Sequence, residues 1–513
     1  MKNAVGREIP DFLEGYGQIK PFKGAFATIP TIRKYAPKVK ITAPGASKLV
    51  DSLEAVFKKI PIQNGMTLSF HHHHRDGERL MGQVLAVAEK LGLKDLGLSV
   101  TGGPFPFHEF LIDYMKSGII TSLVTSGIYG SVAKAVSQGV LAKPTILHTH
   151  GGRPRKVQAG ELQVDVTFIA APSADENGNL TGAVGPSACG SLGYSFADAE
   201  YAGTVVAVTD NIVPFPLTRI SIPQTQVDYV VKVEQCGDPN GIVSGTTRKT
   251  TDPAKLEMAE TCANVIKASG LLKEGFSFQT GAGGPSLAAA HFVSEMMQKD
   301  QIQGSFCAGG IHAYLVEMLE MGLFKAAFDV QSFDLQTVES MAKNPNHIEI
   351  SADFYANPFN NGCIVHQLDT VILGATEVDV DFNVNVVSGS NGVIMGGSGG
   401  HSDTAAGAKM TIIATNLTRG GKYPIVMDQV TTVTTPGESI DVVVTEVGVA
   451  VNPRNEELKR RLQDAGLPVK DIQELKKIAE DTVGVPGKPR QDGRIVGVVE
   501  YRDGTVIDVV REV

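Results

Sequence analysis

Four consecutive histidines, His71, His72, His73 and His74, run straight into Arg75, Asp76 and Gly77. Each imidazole can donate, accept, ligate or charge near neutral pH, and Arg75 adds a fixed cation whose planar fork matches carboxylates. Two chemistries are open to this run. His71 with His73, or His72 with His74, share a face in extended chain, and His148-Thr149-His150 offers another His-x-His pair, so the set could ligate zinc or iron. No carboxylate at helical spacing accompanies them, as HExxH would require. The other reading is that the imidazoles and Arg75 bind carboxylates or stabilise a thiolate. That second reading is our expectation, with no metal between the rings.

Gly396-Gly397-Ser398-Gly399-Gly400-His401-Ser402-Asp403 is the second chemical stretch. A glycine-rich turn before a helix aims several amides at one spot and can hold phosphate, carboxylate or a developing oxyanion. It lacks the Gly-Lys-Ser/Thr ending of a P-loop and the dinucleotide fingerprint; a merely close-packed loop is the plain alternative. His150 and Arg153, beside Gly151 and Gly152, could face an anion, although a solvated arginine is the commoner case. Cys307 could act as a nucleophile, but nothing in the sequence activates it, and a buried inert thiol is the ordinary outcome.

These groups need elements to hold them. Residues 66–70 read as a buried strand and 78–93 as a helix, which puts the histidines on a strand-to-helix turn. Apolar strands at 97–100, 119–124 and 145–148 also end in Gly-rich turns, the pattern of a parallel doubly wound sheet, whose ligands bind beyond the strands' carboxyl ends. Residues 165–180 lie without gaps on 369–384, an offset of 204, with Asp165/Asp369, Ala171/Ala375, Asp175/Asp379 and Asn179/Asn383 identical. Further matches at offsets 207 and 210 keep the same order. Two related halves follow, about 45–250 and 251–450, preceded by an arm over 1–44. The loop answering the His run is then Gly281-Ala282-Gly283-Gly284. Residues 451–513 read as two short helices and a hairpin around Asp503-Gly504; we assign them to the second half, which then spans 251–513.

The chain has 513 residues and a net charge of −9, without a dense basic block, which argues against a nucleic-acid partner. Five scattered cysteines without CxxC spacing suit free thiols in a reducing cytoplasm. The N-terminal residues lack the apolar core of a signal peptide. No apolar run approaches the roughly 20 residues of a membrane helix.

Asp175-Glu176-Asn177-Gly178-Asn179 in the first half, with Gly374-Ala375-Thr376-Glu377-Val378-Asp379 and Gly397-Ser398-Gly399-Gly400-His401-Ser402-Asp403 in the second, resembles the coenzyme A transferase superfamily. Over its whole length the chain is similar to the alpha-subunit family of citrate lyase. That likeness is carried by the stretch Gly15 to Phe22, by Thr67 to Gly77 with the His run, by Asp329-Val330-Gln331-Ser332-Phe333-Asp334, and by Thr445 to Pro453. The resemblance implies an α/β fold of two related, doubly wound coenzyme A transferase-like domains. It implies exchange of the acetyl group on an acyl carrier's thiol for citrate, giving a citryl thioester and acetate, while a separate subunit cleaves the citryl group.

No cofactor would be held permanently. The acyl carrier (gamma) subunit brings a dephospho-CoA-derived arm, for which acetyl-CoA can stand in, and the lyase (beta) subunit joins in a larger complex containing several copies of this chain. Common superfamily members use a Glu nucleophile in a turn of the second half. The equivalent turn here, Cys307-Ala308-Gly309-Gly310-Ile311-His312, has none; Glu317 and Glu320 come later. The implied route is direct attack of a citrate carboxylate through a mixed anhydride. The roles implied are these: Gly399 and Gly400 amides, with Gly397 and Ser398, form the anion nest, oriented by His401 and Asp403. His72, His73, His74 and Arg75 receive carboxylates or the thiolate. Gly309 and Gly310 leave room for the pantetheine arm, Gly283 and Gly284 bind substrate or coenzyme A, and Gly396 to Asp403 stands opposite the His run across one pocket. A covalent glutamyl-thioester transferase, a citramalate-specific homologue, a non-catalytic scaffold and a metal hydrolase are the rival readings.

Overall fold

The computed structural model describes residues 1–25, 27, 40, 42–43, 45–103, 105–243, 250–281, 283–485, 487 and 492–513. Most of the central part of the expected arm, and Ala282 of the loop answering the His run, lie outside the described residues. Two large sheets organise the chain, one of ten strands and one of nine. In the first, Thr67–Phe70 is central, flanked in parallel by Leu96–Val100 and Val166–Ala170. In the second, Ser277–Thr280 is flanked in parallel by Gly304–Ile311 and Thr370–Leu373. Inner strands such as Thr204–Thr209 and Met410–Ala414 are apolar, β-branched and buried almost throughout, as strands covered on both faces must be.

The internal repeat is physical. Asp165 Oδ2 accepts the Thr67 amide at 2.7 Å, and Asp369 Oδ2 accepts the Ser277 amide at 2.9 Å. Asp175 Oδ1 takes the amides of Asn177 and Asn179, and Asp379 Oδ1 those of Asp381 and Asn383. Asn179 Oδ1 then accepts the Gln224 amide, and Asn383 Oδ1 the Gly437 amide, each at 2.9 Å. Three of the four identities are therefore side chains that close the same turns on backbone donors. Gly281, following Ser277–Thr280, stands where His71 follows Thr67–Phe70.

The tail divides. Helices Glu456–Asp464 and Ile472–Val483 bury Leu458, Leu462, Ile472 and Leu475 against the second half. The hairpin Ile495–Glu500/Val506–Arg511 instead pairs in parallel with Thr145–Leu147 and extends the first sheet. Placing all of 451–513 with the second half is corrected to that extent. Thr145–Leu147 would otherwise be an open edge, and covering it removes an unpaired row of backbone groups. The N-terminal arm seals the hairpin: Phe22 N donates to Val506 O, Val506 N donates to Lys20 O, and Ile9 and Ile19 pack on Val498 and Val506.

Candidate active site between the two halves

Each half lends a glycine-containing loop to the other's strand ends. From the second half, Gly399 N donates to Ser126 O at 3.3 Å, His150 N to Gly399 O at 2.8 Å, and Ile128 N to Gly396 O at 3.1 Å. From the first half, Leu192 N donates to Glu349 Oε1 at 2.7 Å. The fits are equally tight: a Cβ on Gly397 would stand 1.9 Å from Ser126 O, and one on Gly190 would stand 1.9 Å from Ser332 Oγ. Residues 386–400 follow Val384–Asn385 as 182–195 follow Leu180–Thr181, so the crossing repeats the internal symmetry.

The His run meets this junction through His72 and through the Arg75 that follows it. His72 Nδ1 lies 2.7 Å from Thr101 Oγ1, its ring stacks on Tyr194 at 4.6 Å, and it meets the edge of His150 at 5.4 Å. Gln331 Nε2, from the other half, donates to His72 O at 2.8 Å. Arg75 holds a left-handed φ of 52° and sets its guanidinium 5.3 Å from the Phe333 ring centroid. Burial drives the His72 imidazole well below its ordinary value, with His150 and Arg75 adding to the effect, and burial drives His150 down to about 3. Both rings are neutral at physiological pH, so fixed positive charge at this wall comes from Arg75.

Three expected ligand contacts are otherwise engaged. His73 Nε2 is 2.8 Å from Ala170 O and His74 Nε2 is 2.8 Å from Ser187 O, both carbonyls of their own half. Arg153 is buried against Asp198 at 2.6 Å, and Asp198 also meets His71 Nε2 at 2.9 Å. Burial alone would raise the Asp198 carboxyl, but Arg153 and His71 hold it well below the usual carboxylate range. The cation at Arg153 is thus matched inside the first half, because a buried guanidinium must find a counter-charge.

The glycine-rich turn is pinned from both sides. Asp403 accepts Thr149 Oγ1 and the Gly151 amide, each at 2.9 Å, and Arg502 Nε of the C-terminal hairpin lies 3.6 Å away. Burial raises the Asp403 carboxyl to about 6, with Arg502 and these donors opposing it. His401 bridges Thr435 Oγ1 and Gly374 O, and burial holds it neutral, at about 4. Ser398 Oγ meets Ser402 Oγ at 3.1 Å. His401 and Asp403 therefore orient the turn, while the Gly399 amide is given to Ser126 O. Arg502 Nη2 also reaches Ala356 O at 3.0 Å. Arg502→Met should cost about 3 kcal/mol, the scale for breaking a buried charge pair. Denaturant unfolding checks this, and an unchanged midpoint would remove the hairpin from the junction.

The opposite wall is built from Gln279 and Tyr355. Gln279 Nε2 donates to Tyr355 OH at 2.7 Å, and a Cβ on Gly400 would stand 2.7 Å from that hydroxyl. A Cβ on Gly309 would meet Gln279 at 2.6 Å, and one on Gly310 would meet the Phe333 ring at 2.1 Å. Those two glycines admit Gln279 and Phe333 to the junction, where space for a pantetheine arm was expected. Gly283 and Gly284 open the helix Gly284–Asp300, with Thr250 against Gly284. His150 Nδ1 and Gln279 Oε1, from opposite halves, are buried without a hydrogen-bond partner. A ligand or water reaching them would complete their bonding. Gln331 and Phe333 belong to the motif Asp329 to Asp334, whereas Tyr194, Gln279 and Tyr355 carry no signal in the sequence.

Two α/β halves that cross loops over their junction have the fold of coenzyme A transferases. A 4-hydroxybutyrate CoA-transferase from Porphyromonas gingivalis matches with a TM-score of 0.53 at 17% identity, covering 85% of this chain and 96% of that one. At that identity the likeness carries the fold alone. The family model for the citrate lyase alpha subunit matches residues 46–513. The citrate lyase alpha chain of Klebsiella pneumoniae is 44% identical over 495 residues, 96% of each protein. That of Escherichia coli is 46% identical over 466 residues, 91% of each. A solved citrate lyase alpha subunit from Streptococcus mutans, in complex with citrate, has a TM-score of 0.95 at 45% identity over 100% of both chains. The chain belongs to the citrate lyase alpha-subunit family. Among the described residues no helix is long and apolar enough to cross a membrane.

Proposed function

We propose that this chain exchanges acetyl for citrate on the thiol of an acyl carrier, by direct attack within a ternary complex. A citrate carboxylate oxygen adds to the acetyl thioester carbonyl, the C–S bond breaks, and the thiolate leaves from a citryl-acetyl anhydride. The thiolate then adds to the citryl carbonyl, the C–O bond breaks, and acetate departs. No proton is gained or lost overall, so the protein need supply only alignment and charge stabilisation. Arg75 supplies the cation for citrate or the thiolate. Neutral His72 and His150, with Gln279 and Tyr355 opposite, offer hydrogen bonds to ligand oxygens. His73 and His74, held on carbonyls, fix the turn that carries Arg75.

The observation that carries the direct route is the turn at Gly309 and Gly310. It is filled by Gln279 and Phe333 and bears no carboxylate, while Glu317 and Glu320 lie beyond it on the helix Ala313–Glu320. The partners under this reading are an acyl carrier subunit, a lyase subunit and further copies of this chain, with acetyl-CoA able to replace the carrier. No cofactor stays bound. Five free, buried thiols accord with a cytoplasmic setting. The test is to incubate the chain with acetyl-CoA and citrate, follow citryl-CoA, and treat parallel samples with hydroxylamine and borohydride. Citryl-CoA should form with no glutamate modified. A labelled Glu317 or Glu320 would establish the covalent route instead, and exchange with citramalate but not citrate would reassign the substrate.

A further inference from the structure

We propose that His73, His74 and Cys189 bind one zinc ion behind the His run, joining its turn to the loop 182–195. A ring nitrogen of each histidine and the Cys189 sulfur lie within 4.8 Å of one another, all three residues buried. Donors around a tetrahedral zinc stand roughly 3.5 Å apart, given Zn–N and Zn–S bonds of about 2.0 and 2.3 Å. Closing the site therefore asks for about 1 Å of side-chain adjustment.

The hydrogen bonds already present suit ligation. Each ring faces a carbonyl through Nε2, His73 toward Ala170 O and His74 toward Ser187 O. A carbonyl can only accept, so Nε2 carries the proton and the lone pair is on Nδ1. This is the outer-shell arrangement that orients metal-binding imidazoles. His73 Nδ1 is buried with no hydrogen-bond partner, a state that an ion would relieve.

Two imidazoles and a thiol favour zinc over the oxygen-seeking magnesium or calcium. On binding, the Cys189 S–H bond is replaced by S–Zn and the proton passes to solvent; the fourth coordination position stays open. Pro186 and Gly237, beside these segments, line a surface cleft together with Asp210 and Glu234. Gly237 backs the His74 ring, where a Cβ would stand 2.3 Å from it. The ion would tie together the two segments that carry Arg75 and Tyr194. This departs from the expectation of no metal, and it holds whether or not the proposed exchange reaction is right.

The test is to strip the full chain with a chelator and titrate it with cobalt(II), a spectroscopic substitute for zinc. One equivalent should bind with a sulfur-to-cobalt charge-transfer band that zinc abolishes. Cys262→Ser, a buried thiol on the helix Pro253–Ser269 of the other half, should keep the band. Cys189→Ser should lose it, and His73→Gln should weaken binding at least about tenfold. Circular dichroism without metal confirms that each variant is folded; if Cys189→Ser is not, His73→Gln decides. No band in the unmodified chain, a band that survives Cys189→Ser, or unchanged affinity in His73→Gln overturns the proposal.

Discussion

Arg75→Gln should lower acetyl-CoA–citrate exchange by roughly two to three powers of ten, the scale for removing a preorganised electrostatic group from a reacting centre. Among the described residues here, neutral imidazoles leave this wall of the junction dependent on Arg75 for positive charge. Gln keeps hydrogen-bonding capacity and meets the same left-handed backbone, so the loss reports charge. Arg75→Lys restores the charge but not the plane that lies over Phe333, and should fall between the two. Steady-state exchange rates, with circular dichroism to confirm folding, make the measurement. Near-normal turnover in Arg75→Gln would remove Arg75 from the reaction.

The second large effect is steric. Gly397→Ala would place a methyl carbon 1.9 Å from Ser126 O and 2.2 Å from Gly127 Cα. Both are backbone atoms of the other half, and no side chain there can swing away. The strands around them are held by Gly399 N to Ser126 O, Ile128 N to Gly396 O and the Asp403 contacts. Overpacking of this kind costs about 3 kcal/mol or more. We expect Gly397→Ala to lose the docked junction, with a lowered unfolding midpoint and no exchange activity. Gly374→Ala, where a Cβ meets nothing within 4 Å, should be close to neutral. Equal midpoints for the two variants would refute the close approach.

Fold and site were legible to different depths. The strand-and-turn pattern and the repeat could be read because local chemistry recurs: an aspartate must close the same turn at Asp175 and Asp379, so its identity persists. The hairpin around Asp503-Gly504 was equally readable, but the sheet it joins was not, since an edge strand does not advertise its partner. The site was harder for the same reason. The types of His73, His74 and Arg153 suggested ligand contacts, yet Ala170 O, Ser187 O and Asp198 engage them across long sequence separations. Gly309 and Gly310 signalled that something needs room. Only the packing identifies Gln279 and Phe333 as the occupants.

The hairpin at Ile495–Glu500 and Val506–Arg511 also bears on the order in which the protein can be made. The second half's strands and helices lie between residues 253 and 483, so all of them leave the ribosome before the first sheet has its last two strands. Until then Thr145–Leu147 is an open edge, Asp403 lacks Arg502, and the arm at Ile9 and Ile19 has nothing to cover. Domains that fold as they emerge are ordinarily finished from the N-terminus onward. Here the first half is finished last, and the same late segment that closes its sheet also sets Arg502 beside Asp403 of the glycine-rich turn. A nascent or truncated chain therefore holds no completed site.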